Sequence, residues 1–327
     1  MKSWAKATVI IVNWNGEDFL ERCLSALMLQ TVQPFEIIVV DNASSDGSLA
    51  IVQQFPAARL ILPGRNTGFA QGNNLAIAES SMESDWIALL NPDAFAEPRW
   101  LEALLLAAES NPAFHVFGSK LVNAADPTVL DGTGDAYHLS GLVWRTGHGL
   151  PALAAVGHCR EVFSPCAAAA LYRSRALSEI GGFDEDYFCY VEDVDLGFRL
   201  RLAGYRCLYV PQSVVRHIGS GTTGGQHSDF ATYHGHRNLV WTFVKDMPGL
   251  LFWLLLPVHV VLNIVSLVVF TVRGKPGVIF RAKRDALAGV AHMWRKRRSI
   301  QSVRKVSSGE IWRQLNKSLM PLKAWRK

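Results

Sequence analysis

The fold is decided by residues 7–41, which read ATVIIVNWNGEDFLERCLSALMLQTVQPFEIIVVD. Residues 7–12 form a short apolar run that is typical of a buried strand, and residues 36–40 form a second one. Between them, residues 17–30 carry apolar side chains at helical spacing, with two acids in the first turn. A strand, a helix and a second strand at these spacings predict a parallel sheet that is covered by helices on both faces.

The same alternation continues through the next fifty residues. Residues 47–54 and 68–80 predict helices, and residues 59–62 and 85–90 predict strands. In open sheets of this kind, ligands bind beyond the carboxyl ends of the strands. The candidate contacts are therefore the polar residues that follow the strands, namely Asn13, Asn15, Asp41, Asn42, Asn91 and Asp93.

Two common phosphate-binding motifs are absent from the sequence. No Gly-x-Gly-x-x-Gly follows the first strand, and no glycine-rich loop ends in Gly-Lys-Ser or Gly-Lys-Thr. These absences exclude a dinucleotide-binding unit and a phosphate-loop nucleoside triphosphatase. The five cysteines are scattered without a Cys-x-x-Cys pair, which indicates reduced thiols in a cytosolic setting and no zinc site. The apolar run near the N-terminus is too short for a signal peptide.

Charge divides the chain into an acidic front and a basic tail. The net charge is +5, yet residues 273–327 hold 16 of the 33 basic residues and only 2 of the 28 acidic ones. The join follows residues 249–272, an apolar run of 24 residues without a charged side chain. Such a run is long enough to span a membrane, although Pro257 and His259 weaken it. A membrane-embedded or re-entrant hairpin, an interfacial helix and a buried helix all remain open, and the basic flank favours an anionic membrane surface.

Five motifs occur in order: VIIVNWNGEDFLERCLSAL, IIVVDNASSDGS, NTGFAQGNN, LLNPDA and GGFDEDYFCYVEDVDLGFRLRLAGYR. Together they resemble the family 2 inverting glycosyltransferases, and within them the rhamnosyltransferase-like branch. The resemblance covers roughly residues 5–245. It implies an α/β GT-A fold, a Rossmann-like, mixed and mostly parallel sheet with helices on both faces. We expect this glycosyltransferase domain in residues 1–245, and membrane-associating helices and a basic tail in residues 246–327.

The resemblance implies a nucleotide-diphospho-sugar donor and a divalent metal ion, Mg²⁺ or Mn²⁺. Asp93 stands where the family has its metal-binding carboxylate, and His217 resembles a late histidine that is a further candidate ligand. Asn91 cannot supply a second negative charge. Asp41 in a turn, Asp93 as a strand cap and His217 as an ordinary strand-end residue are the structural alternatives. The residues expected to bind the donor nucleotide are Asn13, Asn15, Asp41, Asn66, Gly68, Asn91 and Asp93.

The last motif carries the expected catalytic base. Inversion is a single displacement in which a carboxylate takes the proton of the acceptor hydroxyl. In the family this base is the Asp of a Glu-Asp pair at the start of a helix, here Glu192-Asp193. Acids in a first helical turn are also stabilised by the helix dipole, and the neighbouring aromatic residues also suit a core. The residues expected near the acceptor or the sugar are Asp184, Tyr187, Asp195, Arg199 and Arg237.

The resemblance predicts an inverting transferase that moves L-rhamnose from dTDP-rhamnose to a saccharide hydroxyl in cell-surface polysaccharide synthesis. The expected acceptor is linked to polyprenyl diphosphate. The expected location is the cytoplasmic face of the plasma membrane, as a peripheral or monotopic protein that binds no nucleic acid. Transfer of another hexose (galactose, glucose or an N-acetylhexosamine) and a catalytically silent nucleotide-sugar-binding protein are the alternatives. A processive polymerase is disfavoured because the sequence has no Gln-x-x-Arg-Trp.

Overall fold

The computed structural model describes residues 4–219, 221, 224–225 and 228–318. Its strands are β1 (Ala7–Asn13), β2 (Glu36–Asp41), β3 (Ala58–Ile61), β4 (Trp86–Leu90), β5 (Ala94–Ala96), β6 (Val116–Asn123), β7 (Leu130–Gly132), β8 (Asp135–Tyr137), β9 (Val143–Arg145), β10 (Arg160–Val162), β11 (Ala169–Arg173) and β12 (Cys207–His217). Its α-helices are α1 (Glu17–Met28), α2 (Ser48–Gln53), α3 (Gly68–Glu79), α4 (Trp100–Ser110), α5 (Ser174–Ile180), α6 (Glu192–Leu202), α7 (Asp229–Asp246), α8 (Gly249–Val272), α9 (Pro276–Ser302) and α10 (Ser308–Gln314).

A mixed sheet forms the centre of the protein, with the strand order β10-β12-β6-β11-β4-β1-β2-β3. Strands β1 to β4 pair in parallel, as the alternation of the first 93 residues predicted. Strand β11 runs antiparallel to β4 and β6, whereas β6 and β12 are parallel to each other. Strands β8 and β9 form a separate antiparallel hairpin. The predicted α/β class with a mixed sheet is confirmed.

Helices cover both faces of this sheet because the buried strands are apolar on both sides. In β1, Val9 and Ile11 pack in one cluster with α1, α2 and α4. Their neighbours Ile10 and Val12 point to the opposite face and pack in a second cluster with α3, α5 and α6. A strand presents alternate side chains to opposite faces, so a continuous apolar run of this kind needs a layer on each side.

A third apolar cluster joins the C-terminal helices to the rest of the protein. It contains Trp241 and Phe243 of α7, Phe252 of α8 and Met293 of α9, together with Tyr137 from the β8–β9 hairpin. The predicted second unit, residues 246–327, therefore packs against the first, and the division at residue 245 stays a prediction. The last nine residues of the predicted basic tail lie outside the described residues.

The apolar run at 249–272 forms one continuous helix, α8, with Pro257 inside it. Among the described residues it is the one helix that is long and apolar enough to cross a membrane, and 17% of its most apolar window is buried. Its buried residues lie on one stripe: Leu251, Phe252, Leu255, His259 and Ser266. The other faces expose large apolar side chains, among them Trp253, Leu254, Val261 and Val272. The helix thus packs by one side along much of its length and leaves the remainder uncovered.

Candidate active site

A cavity of about 770 Å³ opens at the carboxyl ends of β1, β2 and β4. Val12, Asn42 and Asn91, which end or follow these strands, lie in its wall. This is the position at which open α/β sheets bind their ligands, because the connecting loops diverge there and leave a crevice. The cavity also contains Asp93 and Asp193, which the sequence placed in two distant motifs. The fold thus brings the expected metal ligand and the expected base to one site.

Asn66 and Gly68, two of the residues expected to bind the donor nucleotide, line the cavity where the loop before α3 passes close to the loop that contains Phe188. Asn42 Nδ2 donates to the Gly68 carbonyl oxygen at 3.0 Å, and Asn66 Oδ1 accepts from the Gly68 N–H at 2.9 Å. Gly68 has φ +80, and a Cβ there would lie 2.6 Å from Phe188. Only glycine fits both the backbone conformation and the close approach.

Three other residues of the expected donor site line no part of this cavity, and instead brace the turns behind it. Asn13 Nδ2 donates to Asp41 Oδ1 at 2.9 Å, and the Ser44 N–H donates to Asp41 Oδ2 at 3.0 Å. Asn15 Oδ1 accepts from the Ser45 N–H at 2.8 Å. In the structure Asn13, Asn15 and Asp41 stabilise turns, the role given above as the alternative for Asp41, and their contact with a donor nucleotide stays a prediction.

Asp93 and His217 meet at the side of the cavity where β5 pairs with the end of β12. His217 Nε2 lies 3.3 Å from Asp93 Oδ1, and His217 Nδ1 lies 2.7 Å from Asp131 Oδ2. Burial lowers the pKa of His217, but hydrogen bonds to Asp131 and Asp93 outweigh burial and raise this pKa to about 9. Burial likewise opposes the charge of Asp93, yet its bonds to His217 and to the Gly221 N–H lower the Asp93 pKa.

Asp93 and His217 suit a divalent cation only if a bound molecule supplies the other ligands of that cation. His217 Nε2 lies 3.3 Å from Asp93 Oδ1, so a cation that displaces the proton of Nε2 could contact both atoms. No group of three or more His, Cys, Asp or Glu side chains suited to a metal ion occurs among the described residues. One carboxylate and one imidazole therefore suit a cation that takes its remaining oxygen ligands from a diphosphate.

Asp193 and Glu192 begin α6 at the opposite wall of the cavity. Asp193 Oδ2 accepts from the Ala167 N–H at 3.2 Å, which fixes the orientation of the carboxylate. Burial raises the pKa of Asp193, although this bond and the charge of Arg145 oppose the rise. Burial and the charge of Asp193 raise the pKa of Glu192 much further, and Glu192 Oε2 has no hydrogen-bond partner. Environments that separate two carboxyl pKa values in this way favour different protonation states for the pair, and the role of Asp193 as the base stays a prediction.

The backbone just before Asp193 is strained. Phe188, Tyr190 and Val191 have φ of 64, 64 and 70, although none of them is a glycine. Left-handed conformations of bulky or β-branched residues persist only where surrounding contacts enforce them, and they cluster at functional sites. Asn238 holds this segment in its left-handed conformation, because Asn238 Nδ2 donates to the carbonyl oxygens of Tyr187, Cys189 and Tyr190.

Sequence reasoning missed three charged residues around the β8–β9 hairpin. Asp135 and Arg145 line the cavity, and Asp131 supports His217 from behind. Arg145 Nη1 donates to Asp131 Oδ2 at 2.6 Å. Burial, together with the charge of Asp193, raises the pKa of Asp135 to about 8. The one signal in the sequence was the segment DGTGD at 131–135, in which glycines separate two acids without helical spacing.

The residues expected near the acceptor line no part of the cavity. Asp184 and Asp195 both form ion pairs with Lys245, whose side chain is 0% exposed, and Asp195 Oδ2 also accepts from Arg199 Nε at 2.8 Å. Tyr187 is buried, with its hydroxyl 2.9 Å from Thr242 Oγ1. Arg237 Nη2 donates to the Tyr187 carbonyl oxygen at 3.0 Å. In the structure these five side chains contact other parts of the protein, and their contact with an acceptor or a sugar stays a prediction.

Comparisons with known proteins agree with this geometry. Residues 8–181 match the family described as glycosyl transferase family 2, and residues 153–272 match glycosyl transferase family group 2. The chain is 31% identical to N-acetylglucosaminyl-diphospho-decaprenol L-rhamnosyltransferase of Mycobacterium tuberculosis, over 73% of this chain and 83% of that protein. It is 29% identical to rhamnosyltransferase WbbL of Escherichia coli, over 62% of this chain and 80% of that protein.

A solved structure shares the fold over most of its length. The mannosyltransferase PcManGT from Pyrobaculum calidifontis, solved in complex with GDP-Man and Mn²⁺, superposes with a TM-score of 0.55 at 17% identity. The match covers 92% of this chain and 88% of that one. At this identity the likeness concerns the fold alone.

Proposed function

The chain belongs to glycosyl transferase family 2, and from this premise we propose that it transfers L-rhamnose from dTDP-rhamnose to a hydroxyl of a lipid-linked saccharide. The observation that carries the proposal is the cavity in which Asp93 and His217 face Asp193 beyond the strand ends. The similarity to rhamnosyltransferases supports the sugar, and the decaprenol-linked substrate named for the mycobacterial relative supports the acceptor class. The product would serve the synthesis of a cell-surface polysaccharide.

The proposed reaction is a single displacement with inversion. The acceptor hydroxyl gives its proton to Asp193 as its oxygen bonds to the anomeric carbon, while the bond from that carbon to the nucleoside diphosphate breaks. The Ala167 N–H holds Asp193 in place for this transfer. Asp93 and His217 would hold Mg²⁺ or Mn²⁺, which would supply positive charge to the departing diphosphate. Burial and the charge of Asp193 raise the pKa of Glu192, which favours the neutral form of Glu192 beside the base.

We further propose that α8 attaches the enzyme to the cytoplasmic face of the plasma membrane as a peripheral or monotopic protein. The buried stripe of α8 is fixed to the protein, since His259 Nδ1 lies 2.7 Å from the Ser140 carbonyl oxygen. Trp253 and Leu254 are exposed on the other side, 60% and 69% respectively. A helix that is bound to its own domain along one side is suited to lying in the lipid headgroup region. The basic residues of α9 add attraction to anionic lipid.

Product formation with purified full-length protein tests the proposed function. We expect rhamnose transfer from dTDP-rhamnose to a polyprenyl-diphosphate-linked saccharide in the presence of Mg²⁺ or Mn²⁺, and its loss on chelation. Asp193→Asn and Asp93→Asn should each abolish transfer, whereas Asp18→Asn, an exposed acid on α1, should transfer like the wild type. A wild type that transfers only another sugar would overturn the donor assignment. Transfer that persists in Asp193→Asn would overturn the base assignment.

A further inference from the structure

The cavity extends beyond Asp193 to the end of the apolar helix α8. Phe270, in the last turn of α8, and Arg273, which follows it, belong to the cavity wall. Gly235 and Leu239 of α7 line the cavity as well, as does Leu142 before β9. These residues lie on elements other than the strand ends that form the nucleotide side. The active site therefore reaches from the nucleotide end of the sheet to the helix with the uncovered apolar face.

The spacing between α7 and the end of α8 is held open by specific contacts. The ring of Phe270 packs edge-on against the His236 ring, with 4.5 Å between centroids. Lys283 of α9 donates to the His236 carbonyl oxygen at 3.1 Å and to Asn263 Oδ1 at 2.6 Å, and so links α7, α8 and α9. A Cβ built at Gly235 meets no atom within 4 Å. The gap beside Gly235 is thus a fixed opening in the wall, since neighbouring side chains do not fill it.

Resting on the proposed function, we propose that this wall is the acceptor subsite, in which Arg273 pairs with the diphosphate of a polyprenyl-diphosphate-linked sugar. The sugar points to Asp193, and the first isoprenoid units lie against Leu239 and Phe270. Such an acceptor is an anionic group that joins a polar sugar to a long apolar chain. The wall offers the matching groups, a carboxylate, a cation and apolar side chains.

The position of Arg273 suits a ligand that arrives from a membrane. Val268 and Val272, which precede it on α8, are 57% and 83% exposed and belong to the uncovered apolar face. A guanidinium at the end of such a face would lie near lipid phosphate groups, and a guanidinium binds phosphate through two parallel hydrogen bonds. Under the proposed function, Asp93 and His217 would hold the cation that binds the donor diphosphate. The two diphosphates of the reaction would therefore have separate sites.

Two pairs of variants test the subsite. Arg273→Gln removes the cation, and Arg284→Gln removes a cation of α9 that is 74% exposed and lines no part of the cavity. Gly235→Leu fills the opening, and Gly277→Leu adds the same side chain at a helical glycine of α9 that also has no atom within 4 Å of an added Cβ and lines no part of the cavity. Each full-length variant is assayed with a polyprenyl-diphosphate-linked sugar in vesicles and with an alkyl glycoside of the same sugar that has no diphosphate.

For Arg273→Gln we expect the KM of the diphosphate acceptor to rise about tenfold, the usual effect of losing a charge-assisted hydrogen bond, with an unchanged donor KM. Its activity on the alkyl glycoside, and both activities of Arg284→Gln, should match the wild type. Gly235→Leu should lower kcat/KM for the lipid acceptor at least about tenfold, because the added side chain occupies the acceptor path. Gly277→Leu should stay close to the wild type. Circular dichroism and donor binding verify that each variant is folded.

The outcomes separate this inference from the proposed function. If the wild type transfers rhamnose to the lipid acceptor and Arg273→Gln does so with the same KM, the subsite is refuted and the function stands. Equal KM increases for Arg273→Gln and Arg284→Gln would also refute it, since they would indicate general attraction to anionic lipid. A wild type without rhamnosyl transfer refutes the proposed function itself, whatever the variants do.

Discussion

Replacing Lys245 by methionine tests how far its ion pairs with Asp184 and Asp195 stabilise the protein. The Lys245 side chain is 0% exposed, and its ammonium pairs with both carboxylates. Methionine keeps an unbranched chain of similar volume but leaves two buried carboxylates without this cation. Loss of one partner of a buried ion pair destabilises a protein by about 3 to 5 kcal/mol. Because Arg199 and Lys296 still contact these acids, we expect the lower end, about 3 kcal/mol.

The matched control is Lys296→Met, which removes a cation from the same Asp184 at a more exposed position. The Lys296 side chain is 32% exposed, so its ion pair should contribute about 1 kcal/mol or less. Urea unfolding followed by tryptophan fluorescence measures both variants, and for Lys245→Met the midpoint of thermal unfolding should fall by about 4 °C. Equal losses in the two variants would refute the reasoning. So would a Lys245→Met protein of normal stability that no longer binds acceptor, because Asp184 or Asp195 would then face the substrate.

Three further predictions follow from the site and from α8. Burial raises the pKa of Asp193, so a plot of kcat/KM against pH should fall on the acid side with an apparent pKa above the ordinary carboxyl range. Arg145→Gln should shift this acid limb to higher pH, because the charge of Arg145 lowers the Asp193 pKa. Burial raises the pKa of Asp135 to about 8, so the folded protein keeps a proton that the unfolded chain releases near pH 4. Stability should therefore decline from about pH 4 to about pH 8, and Asp135→Asn should remove much of that decline in urea unfolding at several pH values. Trp253→Ser should lower the affinity for anionic vesicles by about tenfold or more in a sedimentation assay, because it removes an exposed aromatic side chain from the uncovered apolar face of α8.

Each of these predictions has a result that contradicts it. An acid limb that stays in place in Arg145→Gln would mean that a group other than Asp193 controls it. An Asp135→Asn protein with the same pH dependence as the wild type would show that Asp135 is ionised in the folded state. For the membrane, Met82→Ser is the control, since Met82 is an exposed apolar residue far from α8 in the chain. Equal vesicle binding of Trp253→Ser and Met82→Ser would contradict attachment through α8.

The parts of the protein that were predictable from sequence are those with strong periodicity. The strands and helices of the first 93 residues agree with the expected ones to within two residues at each end. The sequence also indicated the positions of Asp93 and Asp193, which line one cavity. Asp93 follows a buried strand, and Asp193 lies at the start of a helix. These elements are apolar runs of ordinary length, and the sheet topology then fixes where their ends meet.

The contacts of the remaining site residues could not be predicted from the sequence, for two physical reasons. Asp135 and Arg145 lie on three-residue strands, which are too short to show any period. For Asp195 and Arg199 the charges suggested contact with substrate, and the sequence did not indicate that the fold also pairs them with each other. A sequence shows that a charged residue is present but not which opposite charge the fold brings to it.

The contact between Lys296 and Asp184 also constrains the order in which the enzyme can be made. The two residues are 112 positions apart, and the lysine comes late, near the end of α9. A chain leaves the ribosome from its N-terminus, so the central sheet can assemble while Lys245 and Lys296 are still unmade. Until those lysines emerge, the loop before Asp193 lacks the cations that pair with Asp184. The nascent protein should therefore gain sugar-transfer activity only after α8 has been synthesised, so that catalysis begins only on a chain that already carries this apolar helix.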